Sequence, residues 1–278
     1  MDILKIKSLL SITAFFFFFL IPQTISASPT LLSDSDSIDL SELTWPEIVK
    51  SINKGKNTII VPSGGIEQNG FHMILGKHDY IVRKTSHEIA TRLGNALVSP
   101  IISFVPEGGF DPKSGNMIFP GTIGISDYAY MAMLDGIIRS LRLAGFKNIC
   151  LIADHGGSLE IHRIIAEKFN KEWFNDGIKV INVSSYYNSG IEQKKYLKKM
   201  GYTDADIGDH AGMLDTSELM SIHPSGVGFE KLRQSTLKQD LRGDSGDPTK
   251  SSSEIGEKLV EIKIQAAVSQ IQFESLKY

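Results

Sequence analysis

Cysteine is almost missing from this chain: Cys150 stands alone among 278 residues, so no intramolecular disulfide can form. Stability must then come from a packed core, a bound metal or an oligomer. Cys150 lies in the apolar run Ile149–Ala153, which marks it as a buried strand residue rather than a nucleophile. Basic charge is not in surplus. A formal charge of −3 and an isoelectric point near 6.2 give no basis for binding nucleic acid or an acidic membrane surface. Internal repeats are absent. Long apolar runs are reduced to one, Leu9 to Pro22 with five consecutive phenylalanines at Phe15–Phe19. That run falls short of the roughly 20 residues a membrane helix needs. Lys5 and Lys7 precede it and the small residue Ala27 follows, which is the layout of a secretory signal peptide over residues 1–27. The expected product is exported, to the periplasm or outside, with no stable membrane anchor after cleavage.

The rest of the chain alternates apolar runs with helical periods. Residues 28–43, rich in serine and aspartate at their start, are expected to form a flexible leader before one domain over 44–278. Strands are expected at Thr58–Val61, Ala96–Ile102, Asn148–Ala153 and Lys179–Val183. Helices are expected at Thr44–Asn53, Tyr80–Leu93, Asp127–Ala144, Ser158–Asn175 and Glu254–Leu276. Asp127 is the expected N-cap of the third of these, and Gly145 its stop. Met131, Leu134, Ile138 and Leu141 recur on one face of that helix and predict a core stripe. The last helix should bury Ile255, Leu259, Ile262, Ala266 and Ile271. The lysine-rich stretch Ser189–Asp209 predicts a solvated helix or loop, and Gly243–Ser253 a turn-rich linker. Strands alternating with helices imply an α/β fold with a mostly parallel sheet covered on both faces.

Four segments carry residues able to do chemistry. The first holds Glu67, His72, His78 and Asp79 within 13 residues, just past the strand that ends near Val61. Carboxylates and imidazoles gathered at the C-terminal end of a buried strand suit a divalent ion such as zinc or manganese. The second, Gly115–Thr122, contains the rigid turn Phe119-Pro120-Gly121, which shapes pockets more often than it reacts. The third is Asp154-His155-Gly156-Gly157, directly after a strand. His155 is placed there as a ligand, and the two glycines let a substrate approach the backbone beside a helix start. Asp154 either orients the imidazole or binds metal itself. The fourth runs from Gly208 to Glu218 and contains His210 and Asp215, the latter also a plausible helix cap.

In this order the four segments resemble the creatininase family of metal-dependent amidohydrolases. That family has Glu-Gln-His-Gly-Pro-His-Leu-Pro-Leu-Gly-Thr-Asp, Phe-Pro-Gly-Thr, Asn-Gly-His-Gly-Gly-Asn and His-Ala-Gly-Glu-x-Glu-Thr-Ser. This chain has Glu67–His72, Phe119–Thr122, Asp154–Ser158 and His210–Ser217, and the likeness extends from about Trp45 to Leu259. The resemblance implies a three-layer α/β/α sandwich, hexameric assembly, and one or two divalent ions used to hydrolyse C–N bonds. Glu67 and His155 match family metal ligands. The departures are as informative. Asn69 replaces a ligand histidine, and Met213 and Asp215 stand where the family has glutamates. The family's bridging aspartate falls on His78, or on Asp79 with one insertion.

The resulting expectation is one zinc or manganese ion held by Glu67, His78 or Asp79, His155 and Asp215, with a second ion disfavoured. His210 or Asp154 would carry the proton in hydrolysis of a small amide, while His72, Phe119, Gly156 and Gly157 would contact substrate. Phe71, Phe110, Tyr186 and Tyr187 would lend the pocket apolar walls. Two rivals remain: the same fold acting on a sugar-like or keto substrate, or an exported binding protein whose metal site has decayed.

Overall fold

In the computed structural model, which describes residues 37–276, the four apolar runs become four parallel strands. They are β1 (Thr58–Ser63), β2 (Ala96–Val98), β3 (Asn148–Ala153) and β4 (Lys179–Asn182), in the order β2-β1-β3-β4. Around them lie α1 (Trp45–Asn53), α2 (Lys77–Leu93), α3 (Asp127–Ala144), α4 (Leu159–Glu172), α5 (Ser184–Asn188) and α6 (Gly190–Lys199). There follow α7 (Asp204–Ile207), α8 (Met213–Ile222), α9 (Phe229–Gln234), α10 (Gln239–Arg242) and α11 (Ser253–Ser275). No helix among the described residues is long and apolar enough to cross a membrane. The expected signal peptide and residues 28–36 of the expected leader lie outside the described residues.

Alternation along each strand sorts the core into two halves, because successive side chains point to opposite faces. Ile59 and Val61 of β1, with Ile149 and Leu151 of β3, pack against α3 and α4 through Tyr130, Leu134, Ile138, Ile165 and Phe169. Ile60, Cys150, Ile152 and Ile181 face the other way, onto Val82 and Ile89 of α2 and Val260, Ile264 and Val268 of α11. The result is the expected three-layer α/β/α sandwich. Cys150 is a fully buried thiol on that second face, and burial pushes its pKa up.

Several boundaries differ from the sequence expectation, each for a local reason. β2 stops at Val98 rather than Ile102: Pro100 has no N–H to continue the ladder, and Ile102 rejoins only as an isolated bridge to Ser63. α3 is capped by Ser126, whose Oγ accepts from the Ala129 N–H at 3.2 Å, so Asp127 is its first residue and not its cap. Tyr130 leads the buried stripe of α3, with Met131 only half-buried beside it. In α11 the buried face includes Lys263, while Ile262 and Ala266 stand half-exposed. α4 ends at Glu172, before Asn175. Residues 37–43 are not loose: Ile38, Leu40 and Leu43 pack on the core, and the Val98 N–H donates to the Ile38 carbonyl at 2.8 Å. The lysines of α6 are solvated and paired, Lys194 with Asp209 and Lys198 with Asp204.

β1 and β3 are neighbours, yet their chain continues in opposite directions across the sheet, to β2 on one side and β4 on the other. Such a switch point opens a crevice beyond the strand ends, where α/β proteins bind their ligands.

Candidate metal centre

The loop after β1 enters that crevice through Gly64, whose backbone passes so close to Asp79 that a Cβ there would lie 1.9 Å from the Asp79 Oδ1. The close approach lets Asp79 accept from the Gly65 N–H (3.2 Å) and the Ser103 hydroxyl (2.6 Å), which pins the loop to α2. Glu67 follows, 1% exposed, with its carboxylate aimed into the crevice.

α2 begins at Lys77, three residues before the expected start at Tyr80, and so fixes the directions of His78 and Asp79. Consecutive helical residues point about 100° apart, so only one of the two can face Glu67. It is His78: Nε2 lies 2.7 Å from the Glu67 Oε1 and Nδ1 lies 2.7 Å from the Asp154 Oδ2. Asp79 points away, to Gly65 and Ser103.

β3 delivers Asp154 and His155 at its end. The His155 Nε2 is 3.2 Å from the Glu67 Oε2 and 3.0 Å from the Glu107 Oε2. Its Nδ1 accepts from the Gly157 N–H at 3.1 Å. Gly157 is required there, since a Cβ would come within 2.1 Å of the Pro106 carbonyl. One donor atom from each of Glu67, His78 and His155 falls within a span of 4.8 Å, the grouping that a metal ion needs. Asp154 behind His78 completes a carboxylate–histidine relay of the kind that orients a ligating imidazole. The donor chemistry therefore fits a divalent ion of the zinc or manganese type.

Burial alone would raise the Glu67 pKa, but the His78 charge, the His155 and His78 hydrogen bonds and Lys77 hold it well below the ordinary carboxylate range. Burial lowers the His155 pKa, yet its hydrogen bonds to Glu107 and Glu67 outweigh this and lift it to about 9.

Around this cluster lie further groups, most of them absent from the sequence expectation. Lys77 is 1% exposed, with Nζ 3.0 Å from the Asp215 Oδ2 and 3.6 Å from the Glu67 Oε1. Lys263 of α11 lies 3.0 Å from the Asp154 Oδ1 and 2.8 Å from the Glu218 Oε2. The Tyr186 hydroxyl also donates to the Asp154 Oδ1, at 2.8 Å. Asn116 donates to the Glu67 Oε2, and Glu107 is buried with its Oε1 free of any partner. Lys77 sits beside His78 and Asn116 within the Gly115–Thr122 segment, whereas nothing in the sequence marks Glu107.

A cavity of 520 Å³ opens over this cluster, lined by Glu67, Lys77, His78, Asp154, His155 and Gly156, and by Tyr187, His210, Asp215 and Lys263 among others. His210 contacts Gln68, with Nε2 2.9 Å from the Gln68 Nε2 and 3.0 Å from its carbonyl, and its Nδ1 is 3.9 Å from the Glu67 Oε1. Asp215 is engaged by Lys77 and by the Ala211 N–H (2.8 Å), outside the ligand grouping. His72 lies off the cavity, its Nε2 2.9 Å from the Thr216 hydroxyl and its ring stacked on Phe229. Phe119 and Gly157 are not among the lining residues, and neither are Phe71, Phe110 or Tyr186. Of the aromatic walls expected from sequence, Tyr187 alone lines the cavity.

A family model for creatininase, described as creatinine amidohydrolase, matches residues 41–271. The creatinine amidohydrolase of Pseudomonas putida is 27% identical over 208 residues, covering 71% of this chain and 76% of that protein. The 3-dehydro-scyllo-inosose hydrolase of Thermotoga maritima is 26% identical over 166 residues, 60% of this chain and 50% of that protein. A crystal structure of creatininase superposes with a TM-score of 0.71 at 22% identity, covering 88% of this chain and 100% of its own. A mutant creatininase of Zn–Zn type gives 0.70 at 22% identity, over 87% of this chain and 100% of its own. A manganese creatininase gives 0.70 at 21%, over 86% and 99%.

Proposed function

The chain belongs to the creatininase family of metal-dependent amidohydrolases, and from that premise we propose that it cleaves a C–N bond in a small amide or cyclic amide with the help of one divalent ion. The observation that carries this reading is the convergence of Glu67, His78 and His155 on a cavity of 520 Å³. Those three residues would hold the ion. Bound there, it would supply Lewis acidity and make water nucleophilic near neutral pH.

The protein's own groups divide the remaining work. Asp154 is committed: His78, Tyr186 and Lys263 occupy its oxygens, so it orients His78 instead of carrying protons. His210, half-buried on the cavity wall and held in place by Gln68, is the group left to pass a proton to the leaving nitrogen. Such proton transfer contributes typically ~10²–10⁴-fold. Gly156 lies against the cavity with no side chain, which leaves room for substrate beside the His155 loop.

The similarity to a hydrolase of a cyclic keto-polyol supports a second reading, in which the substrate is a polyhydroxylated cyclic ketone. A panel of lactams, linear amides and cyclic keto-polyols, assayed with the metal-loaded enzyme, separates the two. Turnover of an amide that disappears in His155→Ala is the expected result; turnover confined to keto-polyols would replace the first reading by the second. Export is part of the same proposal and rests on the pattern of residues 1–27. Self-association is also included, supported by Phe104, Phe110, Ile118 and Ile123 standing exposed along one stretch of chain.

A further inference from the structure

Two carboxylates, Glu67 and Asp215, meet beside the Glu67–His78–His155 cluster on a point that is already filled. The Asp215 Oδ2 is 3.0 Å from the Lys77 Nζ, and the Glu67 Oε1 is 3.6 Å from it. The His210 Nδ1 lies 3.9 Å from that same Glu67 oxygen. An oxygen from each of two acids faces a cation at this point, and here the cation is an ammonium. It cannot swing away. Lys77 is the first residue of α2 and its stem is buried along its whole length, so Nζ is fixed where the helix begins. Asp215 is fixed as well, because the Ala211 N–H donates to the oxygen that meets Lys77.

We propose that the Lys77 ammonium is a built-in cation that takes the place of a second metal ion and makes the centre mononuclear. The inference rests on the metal-hydrolase reading above and deepens it. A divalent ion placed between Glu67 and Asp215 would sit against a positive charge with no route of retreat. The single ion would be held by Glu67, His78 and His155, and Lys77 already shares the Glu67 carboxylate with that cluster. Asn69 agrees with this division: its Nδ2 donates to the Glu67 and Ile74 carbonyls, so it braces the loop from within.

The test is metal stoichiometry, read by elemental analysis after loading with excess zinc or manganese and removal of unbound ion. The wild-type protein and Lys77→Arg should each retain one ion per chain, and Lys77→Met and Lys77→Gln should each retain two. Manganese-loaded wild type should give the spectrum of magnetically isolated ions by electron paramagnetic resonance. Two ions in the wild type, a spin-coupled manganese pair, or one ion in both neutral variants would overturn the role of Lys77 while leaving the metal reading intact. No ion in the wild type would overturn the metal reading itself. If Lys77→Met does not fold, as judged by circular dichroism, the Gln variant and the wild-type resonance spectrum still decide.

Discussion

Replacing Lys263 by methionine keeps the length and most of the volume of its stem and deletes one charge from the buried wall of the cavity. In the native protein Nζ lies 3.0 Å from the Asp154 Oδ1 and 2.8 Å from the Glu218 Oε2, and all three side chains are buried. At an effective dielectric of about 20, each contact is worth about 6 kcal/mol in gross Coulomb energy, most of it offset by desolvation. What matters for the variant is the uncompensated pair of acids left behind. Removing one partner from a buried ion group costs about 3–5 kcal/mol, and that is the expected loss near neutral pH. Asp154 keeps its contacts with Tyr186 and His78, so the deficit falls on Glu218, which retains only the Gln193 amide. Burial already raises the Glu218 pKa, with Asp154 adding to the rise after Lys263 partly opposes it. Without Lys263 it rises further, and the folded variant binds a proton that the unfolded chain releases above about pH 4.3. Stability must therefore fall as pH increases, and the deficit should be larger at pH 8 than at pH 5.5. Urea unfolding of chelator-treated protein, followed by circular dichroism at both pH values, measures this. The double variant Lys263→Met/Glu218→Gln should recover at least about 1 kcal/mol of the loss, as expected for groups in contact. A single-variant loss below about 1 kcal/mol, or one independent of pH, would refute the reasoning.

Other outcomes follow from the same geometry. His162, buried beside the Tyr130 hydroxyl (2.7 Å) with its Nδ1 unpartnered, has a pKa pushed by burial from 6.5 to about 3. The unfolded chain thus binds the extra proton between those values, so stability should fall as pH drops below 6.5, by about 1.4 kcal/mol per pH unit for this group. His162→Gln should lose that share of the slope in acid unfolding titrations. For His78→Ala we expect metal affinity to drop by at least about 100-fold in calorimetric titration, since even a residue behind a ligand costs about 10–100-fold. Asp79→Asn should hold its metal within about tenfold while losing thermal stability; equal metal loss in both variants would reverse the assignment. Amino-terminal sequencing of the exported protein should begin at Ser28, and a chain still starting at Met1 would remove the signal-peptide reading.

The strands were legible because a parallel sheet buried on both faces is written as unbroken apolar runs, and Ile149–Ala153 is such a run. Glu67 and His155 were legible because they follow such runs directly, in loops rich in glycine. Helix starts were harder. A helix starting at Tyr80 places His78 and Asp79 in a loop where either could face the site, and only the helical phase separates them. The charged residues under the cavity were least visible, because a lysine in sequence looks like a solvated side chain. Lys263 interrupts the apolar stripe of α11, and Lys77 meets an acid 138 residues away, so neither contact has a local signature. The aromatic walls failed for the opposite reason. Phe71 and Phe110 lie in loops where nothing packs over them, and both remain exposed.

The separation of Lys263 from Asp154 along the chain also sets an order of assembly. His78 depends on Asp154 for its orientation, and Asp154 shares its charge with a lysine 109 residues further along. A growing polypeptide that has made both β1 and β3 already holds Glu67, His78 and His155, but their supporting acid is still without its counter-charge. The pocket therefore reaches electrical balance only when α11 docks, so a helix made about a hundred residues after Asp154 acts as the latch on a cluster laid down well before it.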